Sequence, residues 1–311
     1  MEELKVNYLK VFLNRAQVPM RTFVDTVQAL EDDIRSCYAV RIKYNSDDFL
    51  KMILIDASFI IEFFLRWHTY EDWLGKDPLL TKPWMLDQIY YDLILLENQL
   101  PFFVFEEIYE LAGMNREFSS FLKISFNYLK YVGLEQITRC PTQSPEHFTD
   151  LLRSCIILSS NFNLEEECKE IKHVYSASQL REASLKFKVS PNEGLLDLTY
   201  SSEGALTMPI LNIHDNTEMF FRNIVTFEHC HLPHNQTIIT EYLKILDFLI
   251  DTEKDVNVFI DNKIIANWMG DANAVATMVN SLGTNLAMPV FNSHYYSLCK
   301  SLNDFYENPR N

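Results

Sequence analysis

The sequence predicts a mainly α (α+β) fold, a helical domain with a small antiparallel β-sheet near residues 185–213, and three observations predict it. Glycine is scarce, with 7 in 311 residues, which leaves few backbone positions for tight turns. Apolar residues between the breakers recur at the i, i+3, i+4, i+7 spacing of a buried helical face. Alternation appears where Leu185, Phe187 and Val189 interleave with Lys186, Lys188 and Ser190.

The helical elements follow in chain order. Leu4, Tyr8, Val11 and Phe12 form one stripe, Pro19 breaks it, and Phe23 to Leu30 resumes it, so two helices are expected before Val40. Phe49 to Trp67 is strongly apolar but interrupted by Asp56, Glu62 and Arg66, the composition of a core helix rather than a bilayer span. From Trp84 to Leu111 the helical pattern contains Pro101, which donates no hydrogen bond and clashes with the preceding turn, so the helix kinks or restarts there. Residues 133–147 and 159–173 are polar and read as surface loops.

The alternating segment runs into a Pro191 to Gly194 turn, the signal of a hairpin, and Leu195 to Tyr200 and Ala205 to Ile213 continue the sheet around Ser201 to Gly204. Asp215 with Glu218 reads as a capping box. Tyr242, Ile245, Leu246 and Leu249 share one helical face, as do Val275, Met278, Val279 and Leu282 between the start signal Asp271 and the stop signal Gly283. The chain has no internal repeat and reads as one helical core domain, residues 1–311.

Composition excludes several functions. With 27 Lys and Arg against 43 Asp and Glu, the net charge of −16 repels a phosphate backbone, so nucleic acid is not an expected partner. The six cysteines, Cys37, Cys140, Cys155, Cys168, Cys230 and Cys299, are scattered without a C-x-x-C pair and are expected as buried small hydrophobes. Neither a signal peptide nor a run of ~20 apolar residues occurs, so the chain as given is expected to be soluble. Asn235-Gln236-Thr237 is a glycosylation sequon, which makes Asn235 the glycosylation candidate.

Several blocks together resemble the plant-specific domain-of-unknown-function 247 family, the UPF0481 proteins. They are Asp56 to Phe64, Asp92 to Phe103 with its Leu-Leu-Glu-Asn-Gln-Leu-Pro-Phe-Phe core, Ser176 to Ala183 with Lys186 to Lys188, Thr217 to Cys230, and Ile250 to Val256. The resemblance implies a further N-terminal segment with a Pro-x-His-His motif and a C-terminal membrane helix, both beyond this chain. It also implies that the full-length protein is anchored at the plant plasma membrane. Members include candidate male determinants of grass self-incompatibility, so a non-enzymatic cell-recognition or signalling role, with pollen-side recognition as its finer form, is what the family implies.

The chemistry-bearing residues are weighed against that reading. His229, Cys230, His231 and His234 are metal-ligand types within six residues, but adjacent side chains diverge, so a polar helix end is expected and no metal is assigned. Glu97 with Asn98 before Pro101 could be an acid with a polar partner, but side chains such as Asn98 and Gln99 are suited to satisfying backbone groups freed at the break, and that structural role is expected. Asp56 and Glu62 are six residues apart and share no face, so no dyad is expected. Arg181, Glu182, Arg222 and Glu228 are expected in ion pairs between elements. No phosphate loop, nucleophile elbow or zincin motif is present, and no cofactor or catalytic residue is assigned.

A protein or peptide partner is expected at the polar loops, through Gln136, Arg139, Thr142, Gln143, Glu146, Asn161, Asn163 and Glu166. An enzyme of unfamiliar type, metal-dependent or using Glu97 or His229, and an intracellular adaptor scaffold are the rival readings.

Overall fold

The longest apolar run makes the longest helix, Ser46–His68, in a computed structural model that describes residues 2–132, 137–160, 168–191, 194–284 and 290–308. Asn45 caps it by accepting from the Asp48 N–H, and Asp47 and Asp48 in the first turn and Arg66 and His68 in the last suit the helix dipole. Thirteen of its side chains are buried, on more than one face, so it is the centre of a unit rather than a surface helix. Where the sequence reads as one domain, the chain divides into two compact units, Met1–Glu135 with Cys140–Leu152, and Gln136–Arg139 with Arg153–Asn311.

In the first unit, helices Glu2–Ala16, Met20–Ala29, Phe102–Leu111 and Phe121–Val132 pack on the central helix. Pro19 is the N-cap residue of the second of these, the position where its missing N–H costs nothing. Phe64, Phe102, Phe105, Phe121 and Phe148 interlock, with Phe105 and Phe121 stacked at 5.2 Å and Phe64 and Tyr128 at 4.9 Å between ring centroids. Pro101 ends one helical stretch and begins another: Pro83–Ile94 stops, a short 3-10 turn covers Leu96–Asn98, and Phe102–Leu111 restarts.

The second unit holds helices Thr217–His231, Ile238–Leu249, Glu253–Asp261, Ala272–Gly283 and Ser293–Glu307. Tyr242, Ile245, Leu246, Leu249, Val275, Met278, Val279 and Leu282 are all buried, as their spacing predicts, and Asp271 caps its helix by accepting from the Asn273 N–H. The fold class is the mainly α, α+β one expected.

The sheet differs in its pairing. Lys186–Val189 lies parallel to Ala205–Met208, which pairs antiparallel with Thr199–Ser201, so the sheet is mixed and its hairpin turns at Ser201 to Gly204, not at Pro191 to Gly194. The reason lies in Leu195, Leu196 and Leu198, which are all buried in irregular chain. A run buried without alternation cannot be one face of a returning strand. Gly204 has φ of +73° and the Phe305 ring 2.7 Å from where a Cβ would stand, so this turn admits no side chain. Leu211–Ile213 leaves the sheet to pair in parallel with Ile265–Asn267, and Cys168–Glu170 pairs antiparallel with Val290–Asn292.

The capping box at Asp215 does not form: Asn216 is the N-cap, the Thr217 hydroxyl accepts from the His214 N–H, and Glu218 turns to Arg222 and Ser281. Thr252 instead forms one with Asp255. Cys155 and Cys299 are buried as expected, whereas Cys37 and Cys230 are exposed. Among the described residues no helix is long and apolar enough to cross a membrane.

Candidate functional site

The break at Pro101 opens a cleft. Ending one helix at Ile94 and restarting at Phe102 frees backbone carbonyls, and Gln99 takes them: its Nε2 donates to the Leu93 and Leu95 carbonyls, both at 2.6 Å. Its Oε1 accepts from the Phe148 N–H at 3.0 Å, and its own carbonyl accepts from the Tyr38 hydroxyl at 2.9 Å. Burial pushes the Tyr38 phenol up to about 12, with Cys37 and Asp56 adding to it, so it stays protonated and donating. Gln99 thus ties three segments of the first unit, at residues 38, 93–99 and 148, around a hollow of about 420 Å³.

The floor of the hollow is apolar, formed by Phe59, Ile60, Leu93, Leu100, Phe105 and Phe148. Met52, Asp56, Phe59 and Ile60 reach it from one face of the central helix, being spaced i, i+4, i+7, i+8. The polar rim carries Lys5, Asp56, Asp92, Glu97 and Asn98. Lys5 Nζ lies 2.6 Å from Asp56 Oδ1, and the Asn98 amide donates to the Asp92 carbonyl at 3.2 Å. Glu97 and Asp92 are exposed, and among the described residues neither carboxylate has an ion-pair partner.

Phe148 joins this cleft to the predicted loop. The loop's last residues are held by the Phe102 N–H donating to the Glu146 carbonyl at 2.7 Å, by Ser144 donating to Glu106, and by Asp150 accepting from the Glu146 N–H. Thr142, Gln143 and Glu146 are exposed. Arg139, also exposed, belongs to the second unit, where its N–H donates to Ser159. Gln136, Asn161, Asn163 and Glu166 lie outside the described residues.

Elsewhere several ionisable groups are buried and fastened. Glu62 accepts a fork from Arg15 and a bond from Arg66, and Arg66 reaches Asp77 at 2.6 Å while its guanidinium lies 3.9 Å from the Tyr8 ring centroid and 4.2 Å from that of Trp73. Burial alone would raise Asp77, but donation from Tyr8, Arg66 and the Leu79 and Leu80 N–H groups prevails and holds it below the usual carboxylate range. Asp56 and Glu62 therefore do different work, one at the cleft and one inside.

In the second unit Glu228 accepts from Arg153 at 2.8 Å and from the Ile239 and Thr240 N–H groups at the start of Ile238–Leu249. Its partner is Arg153 rather than Arg222, which pairs with Glu218; Arg181 meets Asp261 at 3.4 Å on the surface. Asp255 accepts from the Ser178 and Thr252 N–H groups and sits low despite its burial. Glu241 is different. One oxygen takes both N–H groups of Asn292, the other has no partner among the described residues, and burial, aided by the neighbouring Glu228, pushes its carboxyl up to about 8 against those bonds.

The metal-ligand types do not gather. His229, Cys230 and His231 are the exposed end of helix Thr217–His231, His231 stacks on Phe227, and among the described residues no group of three His, Cys, Asp or Glu is placed to hold a metal. His234's side chain lies outside the description. Asn235 is exposed in a 3-10 turn.

The plant protein family of unknown function DUF247 matches residues 1–311. The chain belongs to this family. The UPF0481 protein At3g47200 of Arabidopsis thaliana is 27% identical over 98% of this chain and 69% of its own length. The putative UPF0481 protein At3g02645 of the same plant is 20% identical over 85% of this chain and 67% of its own. No solved structure matches. Each block that carries the family resemblance holds or meets one of the hydrogen-bonding hubs just described: Glu62, Gln99, Glu228, or Asp255 with Ser178. Sequence reading found Gln99's task from the proline beside it. It missed Lys5 and Tyr38, which arrive from distant segments, but the shared face of Met52, Asp56 and Ile60 was there to be read.

Proposed function

We propose that the protein is a non-enzymatic recognition or signalling protein that holds a protein or peptide partner in the cleft of the first unit and along the loop leading into it. One observation carries this reading: Phe148, which directly follows the loop, is part of the cleft floor, so the loop with its exposed Thr142, Gln143 and Glu146 runs into an apolar hollow of ligand-binding size. The polar groups of the cleft support binding over catalysis. Lys5 is paired with Asp56, Tyr38 and Gln99 are engaged with backbone groups, and Asn98 is tied to a carbonyl, so no nucleophile stands beside a base among them.

The test is exchange of residues 141–147 between two family members with different partners. Transfer of partner preference with the loop is expected; binding that ignores the exchange discards the reading. Metal analysis of the purified chain addresses the metal-enzyme rival, for which a stoichiometric transition metal would be required. The finer placement, pollen-side self-incompatibility recognition at the plasma membrane, draws its support from the family resemblance. Glycosylation of Asn235 in the full-length protein made in plant cells would put this domain outside the cytosol, as that placement requires.

A further inference from the structure

The cleft also carries a charge pattern that the architecture does not use. Gln99, Asn98 and Tyr38 each have a structural task, and Lys5 neutralises Asp56. Asp92, on the last turns of Pro83–Ile94, and Glu97, in the 3-10 turn that follows, have none: both carboxylates are exposed at the rim and unpaired among the described residues. The rim thus holds one cation and three carboxylates above an apolar floor, with an excess of negative charge on the side that the proline break builds. The exposed Tyr44 ring adds a further surface at the mouth, a face to which a guanidinium or ammonium is attracted.

We propose that the occupant of this cleft is a polypeptide segment presenting an apolar side chain next to a lysine or arginine: the apolar group fills the hollow over Phe59, Ile60 and Leu93, and the basic group is held by Glu97 and Asp92. This rests on the reading of the cleft as a partner site and names the chemistry of the partner. An acidic segment would meet two uncompensated carboxylates, and an uncharged one would leave them unused. The discrimination is electrostatic at the rim and hydrophobic at the floor, so it weakens with salt while a residual apolar affinity persists.

The experiment pans a phage-displayed random peptide library against the whole chain and measures the enriched peptides by fluorescence anisotropy. Enrichment of an apolar residue adjacent to Lys or Arg is expected, with affinity falling as salt is raised from roughly 50 to 300 mM. The double variant Asp92→Asn, Glu97→Gln should weaken the enriched peptide roughly tenfold at low salt, since each rim contact is worth a few-fold, with an unchanged melting temperature. Glu97→Lys, at an exposed position, should abolish the preference for basic peptides. A cleft-filling variant, Met52→Trp, should block binding altogether, its fold checked by circular dichroism. Enrichment of acidic or uncharged peptides, insensitivity to both charge variants, or no enrichment overturns the proposal. If nothing is enriched yet the loop exchange transfers partner preference, this inference fails alone; if basic peptides bind the cleft but the exchange transfers nothing, the fault lies in the role given to the loop.

Discussion

Replacing Glu241 with glutamine should raise the protein's stability at alkaline pH and leave it nearly unchanged at acid pH. Glu241 is buried at 4% exposure, one oxygen accepts from the Asn292 backbone and side chain, and the other has no partner among the described residues. Burial raises its carboxyl from 4.5 to about 8, with the neighbouring Glu228 carboxylate contributing. The native state therefore holds the proton more tightly than the unfolded chain, and stability falls as pH rises. Below 4.5 both states are protonated and no penalty exists; between 4.5 and 8 the unfolded chain ionises first and the folded state loses ground; above 8 the loss is complete. At 1.36 kcal/mol per pH unit the full penalty is on the order of 5 kcal/mol, as an upper bound, against a total of about 5–15 kcal/mol for a domain. Glutamine keeps the acceptor toward Asn292 and carries no charge. Urea unfolding of the wild type and Glu241→Gln at successive pH values should give curves that meet near pH 4.5 and diverge toward pH 9. Curves that stay parallel across that window would refute the argument, because they would mean that the carboxyl gains a partner or water when it ionises.

Three further outcomes are expected. Gln99→Leu removes two donors and one acceptor at the proline break and should cost about 2–4 kcal/mol by urea unfolding, with Gln99→Glu no better because a carboxylate cannot donate to the Leu93 and Leu95 carbonyls. Glu228→Leu should cost about 3–5 kcal/mol by leaving Arg153 buried without its carboxylate, and adding Arg153→Met should recover part of that loss in a double-mutant cycle. Asp255 is held low by hydrogen bonds, so its contribution is present above 3.8 and lost as pH falls through its depressed value; Asp255→Asn should therefore flatten the acid limb of the stability profile and lower melting temperature at neutral pH.

What could be read from the sequence was local. The Pro19 and Pro101 breaks, the buried face of Ile238–Leu249 and the start at Asp271 depend on near neighbours, and the structure follows them. The strand at Lys186 was readable from alternation, but its parallel partner Ala205–Met208 was not, because period-two patterning says which side is buried and not which strand lies alongside. Asp215 and Glu218 had the right spacing for a cap and lost to Thr217 and to Arg222, a competition that spacing does not rank. At the cleft, Asn98 and Gln99 stood out because a proline demands partners for the carbonyls before it. Lys5 joins them across 51 residues to Asp56, and no local signal announces such a meeting.

The pairing of Asn292 with Glu241, together with the Tyr295 hydroxyl donating to the Leu196 carbonyl 99 residues earlier, bears on how the chain is made. Both tethers come from the beginning of helix Ser293–Glu307, so they leave the ribosome after the segments they cover. Until then Glu241 and the leucines near 196 have no cover from that helix, and the nascent second unit should be a client for holding chaperones while the first unit, whose residues end at Leu152, is already able to close.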